Sequence, residues 1–386
     1  MCKNVAIVGL GVVGSGVFDL LKSNEVANVK SVMDVVQKPN VTTNDFNDVI
    51  NDNCVEAVIE TVGCVDITYD YAKKCLMKKK HLITANKKLI SEHGEELTKL
   101  AYENGVALLY SAACGGGIPF LQNLKNARKI DEIESFGGIL NGTTNFILDK
   151  MHRDKLSYKI AISNAQQLGY AELDPSSDVC GIDTAYKITL GCMVAYNVFV
   201  NVKDMNIYGI STIEDIDIQY AEKHNARVRL CGRAERKGDK ISAFVEPVFV
   251  SAESIESSIL ENINHTWYKC KNCGTFSFTG QGAGKLPTGG NVVRDILSIQ
   301  KGEFYFTKKE NNGELKVDNS DEKHRYYIRF KGDNCNFIPE EWIGKKEVSG
   351  NYCFVITKEV SLVEINNLLK DNKDCFYAKI GKNVIF

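Results

Sequence analysis

Short runs of consecutive apolar residues alternate with stretches of helical period over the first third of the chain. The runs at residues 5–8, 57–60, 81–84 and 107–110, with a more polar one at 29–32 (Val-Lys-Ser-Val), are too short for helices. They predict strands buried on both faces. Amphipathic segments fill the gaps. One spans residues 92–104, with Ser91 as its expected N-cap and Gly105 just past its end. This alternation is the signature of a doubly wound parallel sheet, assigned here to residues 1–130. Over residues 131–300 the pattern changes. Long helical stretches at 158–168 and 182–198 mix with strand-like runs at 227–231 and 241–250, which reads as an inserted α+β domain. A helix at 291–299, after Pro287, is expected to return to the first domain. Residues 308–323 are polar and charged. A small α+β unit follows over 320–386, with strands at 325–330, 352–357 and 375–380 and a helix at 362–369.

A length of 386 residues suits two or three domains of this kind. The formal net charge of −2 gives no general attraction to nucleic acid or to an anionic membrane, and neither is expected as a partner. Lys73, Lys74 and Lys78–Lys80 form the densest basic patch, read as a solvated helix end. Thirteen cysteines show no framework spacing, and the CxxC at Cys270 and Cys273 has no second pair to complete a four-ligand zinc site. They are read as reduced thiols of a cytoplasmic protein. No basic region or cleavage site precedes the first strand, and no apolar stretch is long enough to span a bilayer.

Gly9-Leu10-Gly11-Val12-Val13-Gly14 follows a strand and opens a helix, the context that makes a dinucleotide fingerprint credible. Gly9 permits the tight turn, Gly11 lets the backbone approach a pyrophosphate, and Gly14 allows close helix–strand packing. The helix start, at Val12 and Val13, offers free N–H groups and a positive dipole end. Asp34 ends the second strand, about 20 residues on, where a carboxylate can bond a ribose 2′-OH. Its negative charge favours NAD over NADP, while Lys38 nearby works the other way. Thr61 and Lys87 each follow a strand end, the edge at which open α/β sheets bind ligands. Asp183 and Lys187 share one helix face. Alone, such a pair also describes a surface salt bridge. With Glu172 on a turn shortly before it, carboxylates and an amine can converge on acid/base chemistry.

Several segments together resemble one family, the homoserine dehydrogenases. They are Gly9–Gly14, residues 84–87, 115–119, 138–145, 169–175 and 181–187, then Gly282-Ala283-Gly284 with Pro287-Thr288, all in the family's order. The resemblance covers about residues 4–300. It implies a Rossmann-type nucleotide-binding domain, an inserted catalytic and dimerisation domain, and a C-terminal unit shorter than the regulatory ACT domain of many relatives. That unit shows no obvious glycine-bearing ligand loop after Phe330. The implied reaction interconverts L-homoserine and L-aspartate 4-semialdehyde with NAD or NADP, in threonine, methionine and isoleucine biosynthesis, in a homodimer. It makes Lys187 the proton donor and acceptor, with Asp183 beside it and Lys87 near substrate and nicotinamide. Glu172 matches the substrate-binding glutamate; Gly169 and Gly282 match glycines lining the cofactor. The family usually has a glutamate before the Gly-Gly-Gly-Ile-Pro turn, at a monovalent-cation site completed by backbone carbonyls. Here Ser111 stands there, with Cys114, Gly116 and Ile118 as the remaining matches. Without the charged ligand the site is expected to be weak or empty. Two other readings stay open: a related dehydrogenase for another small amino acid or aldehyde, and an inactive nucleotide-binding sensor.

Overall fold

The computed structural model describes residues 2–307, 315–332 and 338–385. The chain starts with β1 (Asn4–Val8), α1 (Val12–Asn24), β2 (Asn28–Met33), α2 (Phe46–Asn51), β3 (Ala57–Glu60), α3 (Val65–Met77), β4 (His81–Thr84), α4 (Lys87–Asn104) and β5 (Leu108–Leu109). These strands form a five-stranded parallel sheet of order β2-β1-β3-β4-β5. Of its inner strands β3 is buried at every residue, and β1 and β4 at all but their first, as strands covered on both faces require. Two details differ from the sequence reading. The strand read at 107–110 pairs only over Leu108–Leu109, because Tyr110 leaves the extended conformation to enter a 3₁₀ turn at Ser111–Ala113. Helix α4 is capped by Asn86, not Ser91. The Asn86 side chain accepts from Leu89 N–H at 3.1 Å, while Ser91 lies buried inside the helix and bonds back to the Lys88 carbonyl. Gly105 does close it, at φ +67°.

Next come α5 (Phe120–Arg128), β6 (Ile133–Ile139), α6 (Gly142–Arg153), α7 (Tyr158–Gln167), α8 (Ser176–Val179), α9 (Ile182–Tyr196), β7 (Asn206–Ile207), α10 (Asp215–Lys223), β8 (Ala226–Lys237), β9 (Lys240–Ser251), β10 (Ile263–Cys270), β11 (Gly274–Gln281) and α11 (Lys285–Gln300). Helix α9 is apolar on nearly all sides and is buried between α4, α5 and the sheet strands β8 and β9. That burial takes its two charged residues out of water. Helix α11 is longer than the 291–299 read from sequence. Pro287 falls in its first turn, where a missing N–H costs no bond. It packs along α1 so closely that a Cβ on Gly16 would come within 2.1 Å of the Lys285 carbonyl oxygen.

The C-terminal segment holds β12 (Lys316–Val317), β13 (Lys323–His324), β14 (Tyr326–Lys331), β15 (Ile343–Ser349), β16 (Tyr352–Thr357), β17 (Val360–Ser361), α12 (Leu362–Leu369) and β18 (Cys375–Ile380). Within the polar run, residues 308–314 lie outside the described residues, whereas β12 pairs with β9. Gly332 directly follows β14 at φ +93°, so a glycine does stand after Phe330; residues 333–337 of that loop lie outside the described residues. Strand β18 pairs in parallel with β9, joining the unit to one eleven-stranded sheet. Arg329 anchors it further, donating from Nε and an Nη to both Asp217 carboxylate oxygens, at 3.1 and 2.9 Å. Among the described residues no helix is long and apolar enough to cross a membrane. The basic patch is only partly a solvated end: Lys80 is buried and its ammonium binds the Asp52 and Val55 carbonyls at 2.6 and 2.7 Å.

Candidate active site

A cleft of about 520 Å³ opens between the two sheets, and Val12, Lys87, Asn141, Asp178, Asp183 and Lys187 are among its lining residues. Its chemical centre is Asp183, in the first turn of α9. One carboxylate oxygen meets the Lys87 ammonium at 2.6 Å, and the other accepts from Lys187 Nζ at 2.8 Å. Burial alone raises this carboxyl's pKa. The ammoniums of Lys187 and Lys87 outweigh it and hold the group below the ordinary carboxylate range. In turn Asp183 pushes the Lys87 ammonium above its ordinary value against the effect of burial. Lys187 Nζ also donates to the Leu140 carbonyl at 2.5 Å, an oxygen shared with the Asn264 amide. A buried ion pair is costly unless its remaining hydrogen-bonding capacity is met; here both Asp183 oxygens are engaged, while Lys187 Nζ uses two of its three protons.

Asn141 joins three helices at this point. Its Oδ1 caps α6 by accepting from Thr144 N–H at 2.8 Å, while its Nδ2 spans Asp178 and Asp183 at 2.6 and 2.8 Å. Asp178, on the short α8, is a site residue that sequence reading missed. Burial first, then the neighbouring Asp183, raises its carboxyl's pKa above the ordinary value, against the Asn141 amide and the ammoniums of Lys187 and Lys87. Glu172 is placed differently. It is exposed, does not line the cleft, and acts on Lys87 only at a distance. Gly169 and Gly282 do line it.

The fingerprint meets the same cleft through Val12 and Val13. A Cβ on Gly14 would lie 1.9 Å from the Gly9 carbonyl oxygen, so the helix can cross the turn only without a side chain. Beyond Gly11 there is open space, and α1 starts with no side-chain cap and no acidic residue in its first turn. Free N–H groups beside an open approach fit a dinucleotide pyrophosphate. Asp34 accepts from Leu10 N–H at 2.7 Å and from Lys38 Nζ at 2.9 Å. Burial would raise its pKa, but the Val36 N–H, Lys38 and the Leu10 N–H lower it below the ordinary value. Thr61 does not reach the cleft; its hydroxyl donates to the Gly9 and Val8 carbonyls at 2.7 and 3.2 Å and braces the turn.

The carbonyl turn at residues 114–119 is already engaged. The Asn291 amide donates to the carbonyls of Gly116 and, at 2.9 Å, Ile118. The Ser111 hydroxyl bonds Asp295 at 2.6 Å instead of facing the turn. These bonds take up the Ser111 hydroxyl and the Gly116 and Ile118 carbonyls, and no charged oxygen faces the turn from Ser111, so the donor set does not fit a hard monovalent cation.

Comparison with known proteins bears on the family. The homoserine dehydrogenase NAD-binding-domain model matches residues 9–111, and the homoserine dehydrogenase model matches residues 119–297. The homoserine dehydrogenase of Bacillus subtilis is 35% identical over 77% of this chain and 72% of its own length. That of Helicobacter pylori is 34% identical over 77% and 74%. A crystal structure of S. aureus homoserine dehydrogenase at pH 6.5 is 30% identical, covers 100% of both chains and superposes with a TM-score of 0.76. The Thiobacillus denitrificans homoserine dehydrogenase structure has a TM-score of 0.89 over 98% of both chains at 24% identity, a likeness of fold.

Proposed function

The chain belongs to the homoserine dehydrogenase family, and from that premise we propose that Lys187 is the proton donor and acceptor at the substrate oxygen. The observation that carries this is the Lys87–Asp183–Lys187 bridge, standing in the cleft that the fingerprint helix also enters. When bound, the nicotinamide of NAD or NADP supplies or takes up the hydride. Lys187 gives two of its three ammonium protons to Leu140 and Asp183. The third is left for the oxygen that becomes an alkoxide as L-aspartate 4-semialdehyde is reduced. Asp183 stays ionised between its two lysines and fixes the direction of that proton. Lys87 adds positive charge for the substrate carboxylate. Asp178, supported by the more distant Glu172, supplies the negative charge that the substrate α-ammonium needs. Val12, Val13, Gly169 and Gly282 border the cofactor, and Thr61 braces the fingerprint from behind.

We assign residues 1–130 with the returning α11 to the nucleotide-binding domain, 131–284 to the catalytic domain and 320–386 to the C-terminal unit. Close packing of α11 on α1 supports the first assignment. A cytoplasmic homodimer is the assembly we propose; buried thiols such as Cys75, Cys114 and Cys192, without disulfides, support a reducing compartment.

Steady-state kinetics with L-homoserine test the roles. Lys187→Ala should lower kcat by about 100-fold or more, with the dissociation constant for NADH almost unchanged. Asp178→Asn should raise KM for homoserine about ten-fold and leave kcat largely intact. Near-normal turnover by Lys187→Ala would sink the proton-transfer assignment.

A further inference from the structure

The turn between Ser111 and α5 is built from two successive residues in the left-handed region, Gly115 at φ +81° and Gly116 at φ +56°. It presses directly on the other cleft wall. A Cβ on Gly116 would lie 2.2 Å from the Gly282 carbonyl oxygen, and Gly117 N–H donates to Gln281 O at 2.9 Å. Gly116 and Gly282 both line the cleft, so the shape of this turn sets the shape of the cofactor wall. A turn of this kind gathers carbonyl oxygens on one side, and something positive or proton-bearing must hold them together.

In this chain that role falls to one face of α11. Asn291 is fully buried, and its Nδ2 stands within hydrogen-bond distance of the Gly116 and Ile118 oxygens at once. An amide nitrogen carries two protons, one for each carbonyl. Its Oδ1 accepts from Arg294 at 2.7 Å, and the same guanidinium nitrogen lies 3.4 Å from the Gly117 carbonyl. One turn on, Asp295 accepts from both the amide and the hydroxyl of Ser111, at 2.8 and 2.6 Å. Thus three residues at i, i+3 and i+4 fasten both ends of the segment. The nitrogen occupies the point between the two carbonyls that a cation would have to fill.

We propose that Asn291, backed by the guanidinium of Arg294, is a built-in replacement for a monovalent cation, a positioning residue that holds the cofactor wall in shape. The inference rests on the cleft being the dinucleotide site, and the two can fail separately.

The experiment measures NADH dissociation constants by fluorescence, together with kcat, KM and Tm, in choline, sodium and potassium chloride at constant ionic strength. For the wild-type protein all four should agree within about two-fold or a degree or so across the salts. Asn291→Asp turns the two donors into an anionic acceptor facing two carbonyls. It should weaken NADH binding about ten-fold in choline, and sodium or potassium should restore it saturably. Saturable activation or stabilisation of the wild-type protein by either cation overturns the proposal. So does an Asn291→Asp protein that binds NADH normally in choline, or one that is impaired and rescued by no cation. If that variant fails to fold, the wild-type salt series decides alone. Failure of the wild-type protein to bind NADH in any salt would instead count against the cleft assignment.

Discussion

At the scale of single residues, the proposed ribose contact at Asp34 is as sharply defined as the Lys87–Asp183–Lys187 bridge. Asp34 is ionised, and one oxygen is held by the Leu10 N–H within the fingerprint turn. A free 2′-OH can donate to such a carboxylate, whereas a 2′-phosphate meets a like charge. Lys38, at 2.9 Å from the same oxygen, tempers the repulsion without removing it. The KM for NAD should therefore be no higher than that for NADP, and Asp34→Ser should shift the ratio of kcat/KM values toward NADP by about ten-fold. A strong NADP preference in the unmodified enzyme refutes this reading. Asp34, Asp183 and Lys187 were visible in the sequence because each sits at a spacing with a meaning: after a second strand, or four residues apart on a helix. Asp178 was invisible because its significance comes from an Asn141 amide far away in the sequence, on another helix. The same holds for Asn291, whose partners are backbone carbonyls that a sequence cannot display.

Elements turn these residues into a site by fixing where helices begin. Asn86 caps α4 through Leu89 N–H, and its Nδ2 donates to the Val62 carbonyl and the Thr68 hydroxyl, both at 3.2 Å. Lys87 is the next residue, so the cap sets the position of one ammonium on Asp183. Asn86→Ala should cost about 1–2 kcal/mol in urea unfolding, and it should also lower kcat/KM. A stability loss with unchanged kinetics would separate the cap from the site. The parallel strands were legible because an apolar run buried on both faces has no other comfortable home. Ser91 misled as a cap because the serine is followed by a good amphipathic period, yet the helix had already started five residues earlier. Strand β15 gave no signal: it runs Ile-Gly-Lys-Lys-Glu-Val-Ser, half-exposed or exposed throughout, with no alternation to read. Strand β11 was missed for a related reason, since none of its eight residues is buried.

That exposure matters most for the molecule as a whole. The segment proposed as the catalytic domain and the C-terminal segment share one sheet because β18 finds β9 more than a hundred residues away, a pairing no local pattern announces. One edge of the sheet, β15, carries Lys345, Lys346 and Glu347, charges that discourage another strand from adding on. The opposite edge, β11, has the sequence Gly-Thr-Phe-Ser-Phe-Thr-Gly-Gln, with neither a charge nor a proline. Phe276 on it is 43% exposed. A strand of good β-formers left bare at an edge invites aggregation unless something covers it, and a second copy of the chain is the cover we propose. Wild-type protein at micromolar concentration should then sediment as a dimer of twice the 42.9 kDa chain mass. Phe276→Glu places a charge within that strand and should shift the equilibrium toward monomer while the far-UV spectrum stays unchanged. Only monomer in the wild-type sample would reject the dimer. A dimer that Phe276→Glu leaves intact would move the interface to another face of the sheet.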